Sequence, residues 1–306
     1  MNRLVIVWIT LGCAVVGAKS VSDDVLNAPR LSEAHIEKLA HFLASFSAIV
    51  PPEVERGQWG KHGALPTIAL KFPHPNKERA VYVDVDARDG TVYFFMSSAP
   101  YDEKSDHDEP MEELMGAREA FQRSVALLAH LGLSTEMTDY QVAPDAGLPS
   151  NRAQGCWLIR KELTLDGIEC YKAWIEIYIR VSTKQIEVVS YRPPIPPRPV
   201  ESRISKDEAR ARVSQWIKTD REFSRCPLVC VGEAQDIREI IVIPPEHKKM
   251  RTIPEEPFQS SYCWYVPVTV GMTETHVRRG QFGTVPIPVE MDTGRILIEI
   301  PNPDSH

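Results

Sequence analysis

The sequence has no excess of basic residues. Its 306 residues include 35 Lys and Arg against 42 Asp and Glu, for a formal net charge of -7, and the basic residues are scattered. A nucleic-acid-binding surface needs clustered Lys and Arg to neutralise phosphates, so that class of partner is excluded. The 43% hydrophobic and 25% charged content is that of a globular protein of two or three domains, which excludes a disordered or fibrous chain.

Catalytic motifs are missing as well. The nine histidines are dispersed, and the sequence contains no His-Glu-x-x-His zinc signature, no Gly-x-Ser-x-Gly nucleophile elbow and no Gly-rich phosphate loop. Asp84, Asp86, Asp89 and Gly90 depart from the alternating ligand spacing of a calcium loop. We therefore expect a protein that is not an enzyme, with no catalytic residue, no metal site and no cofactor.

Long apolar runs are confined to the N-terminus. Arg3, the apolar stretch 4–16 and the small residues at 16–18 have the layout of a secretory signal, and the run is shorter than the roughly 20 residues that cross a bilayer. The sequence predicts a signal peptide at 1–18, a secreted or periplasmic (extracytoplasmic) location and no later membrane span. An uncleaved anchor and lipidation at Cys13 are the alternatives.

The cysteine count also limits the chemistry. After removal of the signal five cysteines remain, so they cannot all pair within one chain. Cys226 and Cys230 lie four residues apart on an apparent strand, about 13 Å, beyond the roughly 7 Å between Cα atoms that a disulfide spans. Cys156 and Cys170 flank a predicted hairpin whose register does not pair them. We expect buried cysteines that act as small apolar side chains.

What the sequence does contain is a repeated pattern, an amphipathic helix followed by alternating strands and a tight turn. The first unit, at 30–98, opens with Ser32 as a candidate N-cap. Its turn has Gly90 at the position that requires a left-handed backbone. The predicted apolar helix stripe is Ile36, Leu39, Ala40 and Leu43, and the predicted strands are 67–72, 80–85 and 91–96.

The second unit is a degenerate copy at 109–192. An acidic, solvated linker at 99–108 precedes it, and Asp108 is a candidate cap for its helix. Its final turn, at 182–184, contains no glycine. The helix stripe is Leu114, Phe121, Val125 and Leu128, and the predicted strands are 156–159, 173–181 and 185–191.

The third unit, at 204–301, follows a Pro-rich spacer at 193–203, where successive prolines fix φ and exclude helix and sheet. Ser205 and Glu208 form a predicted capping box, and Gly294 completes the last turn. A Pro- and Lys-rich insertion at 244–257 is too long for a simple turn. The helix face is Ala209, Val213, Trp216 and Ile217, and the predicted strands are 228–231, 239–243, 263–270, 285–291 and 295–300.

Two segments resemble the PepSY family and the related YcdB/YcdC-type repeat proteins of bacteria. They are the hairpin Val83-Asp84-Val85-Asp86-Ala87-Arg88-Asp89-Gly90-Thr91-Val92 and the helix opening Ile204-Ser205-Lys206-Asp207-Glu208-Ala209. The resemblance implies an α+β fold of three tandem cystatin-like units in an exported protein, and some family members inhibit metallopeptidases. The third hairpin is expected to be two residues shorter than the family pattern. The family motifs are structural, so they carry over no catalytic residue.

Three tryptophans are the sharpest binding candidates, because exposed aromatic side chains on a sheet often form a recognition surface. They are Trp157, Trp174 and Trp264, and the dipeptide Cys-Trp occurs at 156–157 and 263–264. Packing between helix and sheet is the competing interpretation. We expect a noncatalytic module array that binds a protein partner, such as a peptidase or an envelope component; the alternative is a secreted hydrolase whose site no motif reveals.

Overall fold

A computed structural model of the chain describes residues 32–44, 55–62, 65–73, 80–86, 90–98, 115–145, 155–181, 183–221, 223–243, 259–271, 273, 277 and 282–297. These residues form an α+β protein with three α-helices and a mostly antiparallel set of strands. The predicted signal peptide, the acidic linker at 99–108 and the insertion at 244–257 lie outside the described residues.

The chain divides into two compact units. The first is 1–161 with 175–191, and the second is 162–174 with 192–306. The three tandem units predicted from the sequence do not coincide with this division.

The first compact unit has the strand order β1-β2-β3-β4-β8-β7-β6-β5. Strand β1 was not predicted; its sequence lacks the apolar alternation that identified β3, and it pairs with β2 through an irregularity between Arg56 and Trp59. The described helix α2 begins after the N-cap Gly116, while Asp108 lies outside the described residues. The elements are α1 (Glu33–Ala44), β1 (Glu55–His62), β2 (Leu65–Pro73), β3 (Ala80–Asp86), β4 (Val92–Ser98), α2 (Ala117–His130), β5 (Gln141–Pro144), β6 (Cys156–Leu165), β7 (Ile168–Arg180) and β8 (Ile186–Arg192), with 162–174 assigned to the second unit.

The second compact unit contains α3 (Lys206–Thr219), β9 (Leu228–Val231), β10 (Arg238–Val242), β11 (Ser261–Gly271) and β12 (Gly283–Glu290). Strand β11 pairs antiparallel with β12 along one edge and with β10 and β9 along the other. The beginning of β7 pairs in parallel with β10. Of the predicted strand at 295–300, the described residues make one isolated bridge, between Val289 and Ile296.

The apolar stripes of the helices and one face of each sheet form the cores. All four residues of the α1 stripe are at most 7% exposed, as the sequence predicted. In α3, Ala209 and Val213 are fully buried against alternate residues of β11 and β12. Burial of each such aliphatic side chain stabilises the fold by about 1.5–3 kcal/mol, except for the smaller alanine.

The three strand-end turns share one geometry. In each turn, the N–H of the last strand residue donates to the carbonyl five residues later. The carbonyl of that same strand residue accepts the N–H of the residue four positions later. The third turn is therefore as long as the others, and the expectation of a shorter third hairpin is wrong. The strand-end residues are Asp86, Arg180 and Glu290, and the residues with positive φ are Gly90 (80°), Lys184 (55°) and Gly294 (68°).

The Pro-rich segment is not a free spacer. Ile195 is buried, and Ser260 accepts the N–H of Arg198 while its Oγ donates to the Ile195 carbonyl. An isolated parallel bridge joins Pro197 to Ser260. Hydrogen bonds of its backbone groups, which the sequence analysis did not predict, therefore attach the segment to the second unit.

Gly90 offers a direct test of the turn assignment. Because a β-branched residue is strained at φ of +80°, we expect Gly90→Val to destabilise the protein by about 1 kcal/mol or more, measured by thermal unfolding. Gly283→Val is the matched control, since Gly283 starts a strand and a Cβ there meets nothing within 4 Å. Equal melting temperatures for the two variants would contradict the assigned turn.

Candidate functional site

The most distinctive surface of the first unit is the solvent-exposed side of β2, β3, β4 and β8. Strand alternation puts Leu70, Val83, Phe95 and Val189 on the buried side, each at most 2% exposed. The residues between them point the other way and all retain solvent exposure. We call this surface the open face; its two cross-strand rows are Lys71–Tyr82–Met96–Val188 and Ala69–Asp84–Phe94–Ser190.

Two large apolar side chains of the open face lie side by side in the solvent. Tyr82 is 40% exposed and Met96 is 37% exposed, and they are direct cross-strand partners. Such partners have Cβ atoms about 4.5–5.5 Å apart, so the two side chains form one patch, with Val188 next to Met96. A contiguous apolar patch on a soluble domain is typical of an interaction surface.

Asp84 lies beside this patch in the second row. Burial raises the pKa of its carboxyl above the ordinary aspartate value. Within the described part of the chain, the carboxyl has no hydrogen-bond or ion-pair partner. Asp86, on the same strand, differs because it is fully buried and accepts a hydrogen bond from the Tyr93 hydroxyl. Asp84 is thus a carboxylate that a partner could still pair with.

Two of the three predicted tryptophans attach helices to sheets. The Nε1–H of Trp157 donates to the Met115 carbonyl at 2.8 Å, and that of Trp264 donates to the Ile204 carbonyl at 2.9 Å. In each case the acceptor immediately precedes the N-cap of the helix, Gly116 or Ser205. The repeated Cys-Trp dipeptide therefore marks a helix anchor.

Trp174 has a different environment in the second unit. The Arg192 guanidinium stacks on the Trp174 ring at 4.2 Å from the ring centroid, and the buried Nε1 of Trp174 has no hydrogen-bond partner among the described residues. The structure does not gather the three tryptophans into one site, because Trp157 belongs to the first unit and the other two have separate contacts in the second.

The second unit also contains a buried carboxylate, Glu290, at the end of β12. Burial raises its pKa, but hydrogen bonds from Arg295, Thr293 and Ser261 and the charge of Arg295 lower it further, so the net pKa lies below the ordinary value. Arg198 donates to the same carboxylate at 2.8 Å. With its oxygens fully engaged, Glu290 fixes the last turn and the Pro-rich segment in place.

Among the described cysteines, Cys156, Cys170 and Cys263 are buried free thiols. Cys230 is exposed, which corrects the expectation that the cysteines are all buried. Burial raises the pKa of the Cys156 thiol to about 12 and that of Cys170 to about 11. These two thiols are protonated at neutral pH, the form that is not a nucleophile.

No three His, Cys, Asp or Glu side chains in the described ranges come together in a group that could hold a metal ion. No helix in those ranges is both long enough and apolar enough to cross a membrane.

Comparisons with known proteins leave the family open. No protein-family model and no curated protein matches the chain. Among solved structures, the chain is similar to the Bacillus megaterium YpeB C-terminal domain, with 14% sequence identity, a TM-score of 0.36, and coverage of 88% of this chain and 96% of that one. A similarity of this degree does not assign a family.

The tryptophan contacts predict a contrast between two variants. Trp157→Phe should destabilise the protein by about 1–3 kcal/mol, because the buried Met115 carbonyl loses its donor. Trp174→Phe removes an indole N–H that has no partner in the described part of the chain, so its effect on the free energy of unfolding should be smaller. Chemical denaturation measures both, and an equal or larger loss for Trp174→Phe would contradict the assigned anchor.

Glu290 predicts an acid-sensitive contribution to stability. Because its pKa is lowered on folding, its stabilisation is complete above the ordinary value of 4.5 and is lost as pH falls through the lower folded value. Glu290→Gln should cost about 3 kcal/mol at pH 7 and flatten the decline of stability between about pH 5 and 3. Glu208→Gln is the control, since its ion pair with Arg212 is exposed and worth about 0.5 kcal/mol. An unchanged pH profile in Glu290→Gln would refute the assignment.

Proposed function

We propose that this protein is an exported, noncatalytic array of PepSY-like modules that acts by binding another protein, and that the open face is its contact surface. The observation that carries the proposal is the exposed Tyr82–Met96 pair on regularly paired strands of the first unit. A peptidase or an envelope component is the class of partner that the family resemblance implies.

The composition of the open face supports binding more than solvation. A solvent-facing side of an antiparallel sheet is commonly polar, but the central strands β3 and β4 present Tyr82, Phe94 and Met96 there. Tyrosine provides a large contact area with few rotatable bonds, and methionine adapts to the shape of a partner. Both are enriched at the centres of protein interfaces.

The surrounding structure holds this surface rigidly. Each residue of the open face alternates with a buried neighbour, such as Val83 or Phe95, so its direction is fixed by the core beneath it. A preorganised surface loses less conformational entropy on association than a mobile loop does. Trp157 and Trp264 were candidates for binding, but their indole N–H groups anchor helices instead.

The proposal predicts that loss of the patch abolishes partner binding without loss of folding. Affinity capture with the whole chain from an extract of its own cells should retain a specific protein, and Tyr82→Ser with Met96→Ser should reduce its recovery at least about tenfold. Because both side chains are exposed, the melting temperature should change little. The captured protein is then purified and its binding measured with both forms of the chain.

Phe282→Ser is the matched control, since Phe282 is 49% exposed but lies in the second unit. Equal recovery with the double variant and the control would refute the open face as the contact surface. Hydrolysis of peptide, ester or glycoside substrates by the repurified chain, abolished by substitution of a single polar residue, would refute the noncatalytic proposal.

A further inference from the structure

The open face contains one charged group that has no partner among the described residues. Asp84 is positioned in the middle of strand β3, with Phe94 opposite it on β4 and Ala69 opposite it on β2. Tyr82 lies two residues earlier on the same side of β3. The carboxylate is therefore bordered on three sides by apolar or aromatic side chains.

We propose that the open face binds polypeptide segments that place a Lys or Arg side chain beside an apolar one, and that Asp84 is the residue that selects the cation. The inference rests on the proposed protein-binding function and specifies the chemistry of the partner. Its basis is charge complementarity between a ligand cation and a partly buried carboxylate next to an exposed apolar patch.

The surroundings of Asp84 make such a pairing favourable. Removal of a carboxylate from water is costly unless a hydrogen-bond donor or an opposite charge compensates for it, and the raised pKa of Asp84 reflects that cost in the unbound protein. A cation that docks here strengthens its attraction to the carboxylate as water leaves the contact. A neutral ligand side chain would bury Asp84 further without compensation, so the face discriminates against it.

The spacing of the open face matches an extended ligand. Tyr82 and Asp84 are two residues apart on one strand, so their Cα atoms are about 6.6–6.8 Å apart. An extended peptide repeats its side chains on one side with the same period. A cation at one position therefore reaches Asp84 while the apolar residue two positions away covers Tyr82 and Met96.

Asp84 sets the sign of the preferred ligand charge, because it is the single acid among the eight residues of the two rows. A ligand cation is thus attracted toward Asp84, and a ligand anion is repelled from it. The sign of the ligand charge is therefore a decisive measurement.

Methyl NMR of the whole chain with ¹³C-methionine tests the inference. The probes are the peptide acetyl-Leu-Ser-Lys-Ser-Phe-amide and two relatives with Gln or Glu in place of Lys, and the Met96 signal is assigned with Met96→Leu. The Lys peptide should shift the Met96 signal saturably and bind at least about tenfold more tightly than the Gln peptide, with the Glu peptide weaker still. Asp84→Asn should bring the affinity for the Lys peptide down to that for the Gln peptide.

Asp207→Asn is the control, because Asp207 is an exposed acid on α3 and the same charge is removed there. It should leave the peptide preference unchanged. Equal binding of the Lys and Gln peptides, tightest binding of the Glu peptide, absence of any shift at Met96, or an unchanged preference in Asp84→Asn would each overturn the inference. The capture experiment tests the proposed function independently of this inference. It asks whether the Tyr82 and Met96 variant loses its protein partner, and that result does not depend on the charge of the ligand.

Discussion

The two-residue period of the β-strand governs the organisation of the first unit. Over residues 69–71, 82–84, 94–96 and 188–190, a residue that enters the core alternates with residues that face the opposite side, and the cross-strand pairing aligns these positions over four strands. A slip of one residue in any pair would expose Val83 or Phe95 and bury Asp84. The core and the open face are thus two results of one register, and the surface is as strongly specified as the interior.

A second regularity links the helices to the ends of the strands. In α2, Glu119 pairs with Arg123 and with Lys184 in the neighbouring turn. The corresponding helix α3 pairs Glu208 with Arg212, which also donates to the Thr293 carbonyl of its own turn. The indole anchors before both helices repeat in the same way. These matched contacts support descent from a duplicated helix-and-hairpin unit, although the compact units cut across the copies.

Sequence patterns predicted the elements that have strong periodicity and failed where the decisive contact is distant. The α1 stripe and strand β9 were located correctly, because helical spacing and β-branched runs are local signals. Strand β1 was not predicted, because Gly57 and Gly60 interrupt any alternation of apolar and polar residues. The attachment of the Pro-rich segment depends on Ser260, some sixty residues away, and no local pattern reports it. Tyr82 and Met96 lie on the two strands of the predicted hairpin, but a register shift between Asp84 and Val85 moves their pairing by one residue, and the sequence did not indicate that shift.

Strand β12 has a consequence for how copies of the protein behave at high concentration. It carries Pro286 and Pro288, and its pairing with β11 continues through both positions, opposite Pro267 and Tyr265. The Pro288 carbonyl accepts the N–H of Leu297, so this residue directs its backbone away from β11, and Pro286 follows it by alternation. At Pro286 and Pro288, two successive positions whose backbone faces outward, the border of β12 therefore has no N–H. Leu297 already occupies the Pro288 carbonyl, and a strand from another molecule would find no backbone donor at either proline, which protects this border against the edge-to-edge growth that leads to aggregates.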